Sequence, residues 1–136
     1  MKKLILATLA GFVASMVSGM IAYMLFYQDL ITEMIATYPE SMNSESDQNF
    51  LVGMGTGLAQ AILMTYSFDK MNFNTLKSGA LNGIWFSGGI WLVANMNNLF
   101  LFKFYDVSLM MSDTLISAAF GLLAGGAIGW TLDKLK

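Results

Sequence analysis

Four long apolar runs, separated by shorter polar segments, constrain the fold of this chain more than any other feature. The runs cover residues 4–27, 50–68, 76–96 and 107–132. Each is close to or above the roughly 20 residues that an α-helix needs to cross a hydrocarbon core about 30 Å thick. The pattern therefore predicts an all-α fold: an integral membrane four-helix bundle that forms a single transmembrane domain.

Composition agrees with this prediction and narrows the possible functions. The chain of 136 residues is 56% hydrophobic and only 12% charged, whereas about 25% of the residues in an average soluble domain are charged. It contains no cysteine, no histidine and no arginine. Thiolate metal sites and disulfides are therefore excluded, and the usual general base at neutral pH is missing. The composition predicts a protein that is not an enzyme and has no cofactor or metal, and the net charge of -2 gives no indication of nucleic-acid binding.

The lysines predict the orientation. If the N-terminus is cytoplasmic, six of the seven lysines are cytoplasmic and only Lys103 lies outside, as the positive-inside rule favours. Met1 to Lys3 followed by apolar residues is also typical of a signal peptide. The apolar run, however, continues to Tyr27, well beyond the 7–15 residues of a signal peptide's apolar region. The sequence thus predicts an uncleaved multi-pass protein with both termini in the cytoplasm.

Small residues recur every four positions along the predicted spans, which places them on one face of each helix and allows close helix packing in lipid. Two interpretations remain open: packing within one bundle, which we favour, or a docking face for another chain or a second copy, most plausibly on the fourth helix. A weak repeat at an offset of about 64 residues is compatible with two tandem helical hairpins or with chance. The candidate packing faces consist of Gly11, Ser15, Gly19, Gly53, Gly57, Gly79, Gly83, Gly121, Gly125 and Gly129.

Uncharged polar residues within the spans are the first candidates for a site. Gln60 lies near the centre of the second run, and Asn82 lies in the third run together with Ser78. Counted from the short connection at 69–75, Gln60 and Asn82 have similar depths, so they could form a hydrogen bond between the two helices. We expect either an interhelical clamp, worth about 0.6–2 kcal/mol, or part of a polar cavity.

Asp113 is the ionisable residue that lies furthest inside a span, one or two turns from the outer surface. We favour the interpretation that it is an interfacial carboxylate stabilised by the dipole at the helix N-terminus. The alternative is an outer acidic site that binds a cation or a proton, because ionisable groups in membranes commonly mark such sites.

The outer loop at residues 28–49 is the longest segment outside the predicted spans. Apolar residues recur at helical spacing over 29–38, which predicts an amphipathic extension of the first helix or a helix lying on the outer leaflet. Pro39 ends that pattern, and Glu40 to Asn49 form an acidic connector rich in serine and asparagine.

The opening KKLILATLAGFVASMVSGMIAYMLFY, the acidic loop of 22 residues and the closing AAFGLLAGGAIGWTLDKLK resemble a family of small, uncharacterised four-span bacterial inner-membrane proteins. The resemblance implies the bacterial inner (cytoplasmic) membrane and the same topology. It carries no activity over to any residue.

Two functional hypotheses follow from these features. The first is a non-enzymatic accessory or assembly subunit that lies in the lipid bilayer and packs against another membrane protein or forms a homo-oligomer. It is favoured by glycine-rich helix packing and by the lack of catalytic groups. The second is a small oligomeric channel or transporter for a neutral or weakly charged solute, lined by Gln60, Asn82 and Ser78. An enzyme ranks third, since only the outer carboxylates could serve it.

Overall fold

Four long helices make up nearly all of the structure, a computed structural model that describes residues 1–43 and 50–135. The helices are α1 (Lys2–Thr37), α2 (Phe50–Met71), α3 (Leu76–Leu101) and α4 (Val107–Lys134). These described parts of the chain contain no strand. The all-α prediction with four helices is confirmed.

Three of the four helices, α1, α2 and α4, are long and apolar enough to cross a bilayer. Helix α3 has sufficient length but is not among them, because polar side chains such as Asn82, Ser87 and Asn95 interrupt its apolar run. The prediction of four apolar spans therefore holds for three helices by length and composition. Helix α3 depends on its neighbours to cover its polar side chains.

The sequence accounts for the tight turn between α2 and α3. Asn72 has a φ of 59°, the left-handed conformation that asparagine tolerates well. The next amide, of Phe73, donates to the carbonyl of Phe68 at 2.9 Å, and the two rings meet edge to face at 5.6 Å between centroids. This is the Schellman arrangement with its hydrophobic contact. Thr75 and Ser78 then form a capping box that begins α3.

Glycines hold α3 and α4 together as an antiparallel pair. A Cβ atom on Gly83 would overlap the carbonyl oxygen of Gly121, and one on Gly79 would overlap that of Gly125. Gly129 approaches the carbonyl of Thr75 in the same way. The backbones touch, which only residues without a side chain allow. Within this chain, α3 covers the small-residue face of α4.

The hydrophobic core lies at the end of the bundle where α1 begins and α2 ends. Phe68 and Met64 of α2 pack there with Ile128 and Leu132 of α4, all almost fully buried. Gly11 of α1 sits against the Ile128 side chain, and a Cβ at Gly11 would be 2.6 Å from its Cδ1 atom. Helix α1 thus packs closely on α4 at this end.

Helix α1 is in contact with α2, and α3 is in contact with α4, while α1 joins these two pairs by packing on α4. The ion pair between Lys3 Nζ and Asp69 Oδ1, at 2.8 Å, shows that α1 and α2 run antiparallel. Helices α2 and α3, although joined by the short turn, barely touch along their length. The bundle is therefore tight between α3 and α4 and open between α2 and α3.

A π-helical segment, Tyr23–Tyr27, interrupts α1 without ending it. The amide of Gln28 bonds to the carbonyl of Tyr23, five residues back, and an ordinary α-helix follows over Gln28–Thr37. The segment predicted at 29–38 is thus a continuous extension of α1. The end of the acidic connector, residues 44–49, lies outside the described residues.

Candidate functional site

A cavity of about 460 Å³ lies among the four helices, between the hydrophobic core and the end of the bundle where α2 begins, which we call the outer end. Helix α2 lines it with positions 53, 56, 57, 60, 61 and 64, which share one helix face. Helix α4 lines it from Asp113 to Ala124, and α3 contributes Ser87 and Trp91. We call this space the central cavity. Its polar lining consists of Ser15, Tyr27, Thr56, Gln60, Ser87, Asp113 and Ser117.

Gln60 crosses the gap between α2 and α3 at the level of the central cavity. Its Nε2 atom donates to Ser87 Oγ at 2.8 Å, and Ser87 is fully buried. The predicted partner, Asn82, instead donates to the carbonyl of Ser78 in its own helix at 2.9 Å, while Ser78 caps the start of α3. Of these three predicted residues, only Gln60 lines the central cavity.

A cluster of five polar residues lies at the outer end of the central cavity, and we call it the outer polar cluster. The hydroxyl of Tyr27 donates to Asp113 Oδ1, and Asn95 Nδ2 donates to Asp113 Oδ2 at 2.8 Å and to Thr114 Oγ1 at 3.1 Å. Tyr105 donates to Asn95 Oδ1 at 2.9 Å. Both oxygens of the carboxylate therefore have donors, and both donors are neutral.

Local structure explains how the outer polar cluster assembles. Tyr27 is the last residue of the π-helical segment, and the extra residue in that turn changes the direction of the side chains that follow. Helix α3 continues to Leu101, so Asn95 lies inside the helix and is 1% exposed. Burial, and then the charge of Asp113, raise the pKa of Tyr105 above its ordinary value of 10. That hydroxyl is therefore a protonated, neutral donor at physiological pH.

Sequence reasoning missed Tyr27, Asn95 and Ser87 as site residues. Tyr27 ends the first apolar run and Asn95 lies next to the end of the third, so neither position marks a site by itself. Counting from the turn between α2 and α3 would have found Ser87, since residues at equal distances from a tight turn have equal depths. Ser87 follows Thr75 by twelve positions, as Gln60 precedes Asn72 by twelve.

Further openings adjoin the central cavity. An outer groove of about 370 Å³ shares Tyr27, Trp91 and Asp113 with it. A side groove of about 520 Å³ between α1 and α2 shares Ser15, Gly53 and Gly57. The central cavity can therefore be approached from the outer end, past the carboxylate, and from the side, between two helices.

Four of the predicted packing residues border this side groove. A Cβ on Gly19 or Gly53 would meet no atom within 4 Å, and one on Gly57 would be 3.6 Å from the Phe12 ring. Ser15 lines both the side groove and the central cavity. Among the predicted packing residues of α1 and α2, Gly11 therefore packs against α4, whereas the other four border the side groove.

The site contains polar groups suited to binding rather than to covalent chemistry. In residues 1–43 and 50–135 no three histidine, cysteine, aspartate or glutamate side chains are grouped so as to hold a metal ion. Asp113 is the one carboxylate in the lining of the central cavity, and hydroxyls and an amide surround it. Such a set can bind and orient a small molecule inside an apolar wall.

No family model, curated protein or solved structure matches this chain. Its class is defined by its own features: an all-α protein of four helices, three of them candidate membrane spans, around a partly polar cavity.

Proposed function

We propose that all four helices cross a bacterial inner membrane, with both termini in the cytoplasm. Large apolar side chains such as Leu51, Trp85 and Phe100 are more than three-quarters exposed, which suits lipid as the surrounding solvent. Helix α3, which is not among the three candidate spans, turns Ser87 and Asn95 inward, where other helices cover them. The five lysines at the beginnings of α1 and α3 and at the ends of α2 and α4 then face the cytoplasm.

Within that membrane, the protein acts as a small channel or transporter that holds a small solute in the central cavity. The observation that carries this proposal is the cavity itself: 460 Å³ at the meeting point of four helices, with Gln60, Ser87, Ser117 and Asp113 in its wall. Ligand pockets typically have volumes of about 300–1,000 Å³, with apolar walls and a few polar groups. Polar groups that face inward in a membrane bundle commonly mark a solute path.

Cysteine labelling tests this proposal, and the natural chain has no cysteine to interfere. Thr56→Cys places a thiol in the wall of the central cavity, and Leu58→Cys places one on the opposite face of the same helix. We expect a membrane-impermeant methanethiosulfonate to modify the first variant in liposomes and to leave the second unmodified. An unreactive Thr56→Cys thiol would contradict a water-filled path. A reactive Leu58→Cys thiol would contradict the lipid-facing position of α2.

An accessory or assembly subunit is the second candidate function, and the side groove favours it. Gly19 and Gly53 lie next to open space between α1 and α2, where a helix of another membrane protein or of a second copy could approach closely. Gly53→Leu would fill that groove. If the protein is an assembly subunit, this variant should lose its partner in gentle detergent extraction, whereas Gly89→Leu, on α3, should keep it.

A further inference from the structure

The charge of the outer polar cluster is not balanced within the part of the chain that the structure describes. Tyr27 and Asn95 donate hydrogen bonds to Asp113 but carry no positive charge. No lysine in residues 1–43 or 50–135 contacts this carboxylate, and the ion pair found there, Lys3 with Asp69, lies at the opposite end of the bundle. A carboxylate that is partly buried without a positively charged partner is stabilised when a cation binds beside it.

The carboxylate faces a wall that suits an organic cation. Trp91 and Phe120 line the central cavity together with Asp113, and Ala61, Met64 and Ala124 supply apolar surface. Aromatic faces attract ammonium groups, most strongly where water is excluded. A small inorganic ion would leave this apolar wall without a partner, whereas an amine that carries an apolar body would contact both parts.

We propose that Asp113 makes the central cavity a binding site for a small organic monocation, a primary ammonium with an aryl or alkyl body. The ammonium lies against the Asp113 carboxylate and the body lies between Trp91 and Phe120. This inference rests on the proposed function, because it names the class of solute that the central cavity takes.

Trp91 provides a direct measurement of binding. The chain has three tryptophans, and neither Trp85 nor Trp130 lines the central cavity. In a Trp85→Phe, Trp130→Phe background, the fluorescence of Trp91 reports what occupies it. The probes are phenethylammonium and 2-phenylethanol, which have the same aryl body with and without the charge, titrated into protein in a neutral detergent.

We expect phenethylammonium to bind at least about tenfold more tightly than 2-phenylethanol, since both can donate a hydrogen bond to the carboxylate but only the ammonium also pairs with its charge. Asp113→Asn should abolish that preference and keep the affinity for the alcohol. The matched control, Asp29→Asn, removes an exposed outer carboxylate and should keep the preference.

Three outcomes would overturn the inference: equal affinity of the natural protein for both probes, a preference that survives Asp113→Asn, or no response of Trp91 to either probe. The labelling of Thr56→Cys still decides separately whether the central cavity is a water-filled path. If Asp113→Asn binds neither probe because it misfolds, the preference of the natural protein decides: tenfold supports the inference and equality overturns it.

Discussion

At the scale of single residues, the structure separates side chains that the sequence makes look alike. Asn95, Asn97 and Asn98 form one polar cluster in the sequence, at the end of the third apolar run. In the structure Asn95 is buried and bonds to Asp113, Thr114 and Tyr105, whereas Asn97 is exposed and bonds only to its own helix. The number of hydrogen-bond partners, and not the residue type, determines how much each asparagine contributes to stability.

Asn95→Leu tests that difference. The substitution removes the donor to Asp113 Oδ2 and the acceptor of the Tyr105 hydroxyl, so we expect it to lower the free energy of unfolding by about 2 kcal/mol or more. Asn97→Leu is the matched control and should change it by less than about 0.5 kcal/mol. Unfolding in mixed detergent micelles measures both. Equal effects would contradict the importance of the outer polar cluster.

Thr65 is the opposite case, a buried hydroxyl that has no hydrogen-bond partner in the described part of the chain. Thr65→Val removes the unpaired group at nearly constant shape, and we expect it to raise the free energy of unfolding by about 1 kcal/mol. Thr131→Val is the control, because Thr131 donates to the carbonyl of Ala127 at 2.8 Å. A gain in thermal midpoint for Thr131→Val, or a loss for Thr65→Val, would contradict this account.

At the scale of helices, glycine spacing predicted close packing but not which helices would pack. Four-residue spacing occurs on every helix, yet only between α3 and α4 do the backbones touch along the stripe. The reason is register, since Gly79, Gly83, Gly121 and Gly125 fall opposite one another across the turn at 102–106. Gly19 and Gly53 have no such counterpart. A single sequence gives the spacing, while the register depends on turn lengths and on where each helix ends.

Two glycine substitutions on α3 separate these environments. Gly83→Ala places a methyl group against the backbone of α4, so we expect it to lower the free energy of unfolding by about 2–3 kcal/mol through overpacking. A Cβ at Gly89 meets nothing within 4 Å. Gly89→Ala should therefore be neutral or stabilise the helix by up to about 1 kcal/mol. Thermal unfolding in detergent, followed by circular dichroism, gives both values.

The π-helical segment shows a limit of sequence reasoning at the same scale. Residues 23–27, YMLFY, differ little in helix-forming character from the apolar residues before them. Tyr27, the last residue of the segment, bonds to Asp113 on another helix. Such a contact between α1 and α4 depends on the relative rotation of two helices, which local pattern does not encode.

At the scale of the whole molecule, the hydrophobic runs were sufficient to predict four helices. They were not sufficient to predict where the central cavity lies. The all-α fold follows from the apolar runs, and Asn72 and Thr75 explain the tight turn between α2 and α3. The central cavity arises because α2 packs against α1 and makes few contacts with α3. That arrangement is a balance of packing among four helices, so no single motif carries it. Gln60 was recognisable as a polar residue at mid-span, but its partner was not.

Orientation is the whole-molecule prediction that the lysines carry. If residues at the beginnings of α1 and α3 face the cytoplasm, a reporter active only in the cytoplasm should be active when fused after Lys136. The same reporter inserted after Asn43, beyond the end of α1, should be silent, because four spans place that point outside. A silent Lys136 fusion would contradict either the number of spans or their orientation. Reversal by Lys2→Glu with Lys3→Glu would identify the N-terminal lysines as the cause, and it would also place Asp113 at the cytoplasmic end.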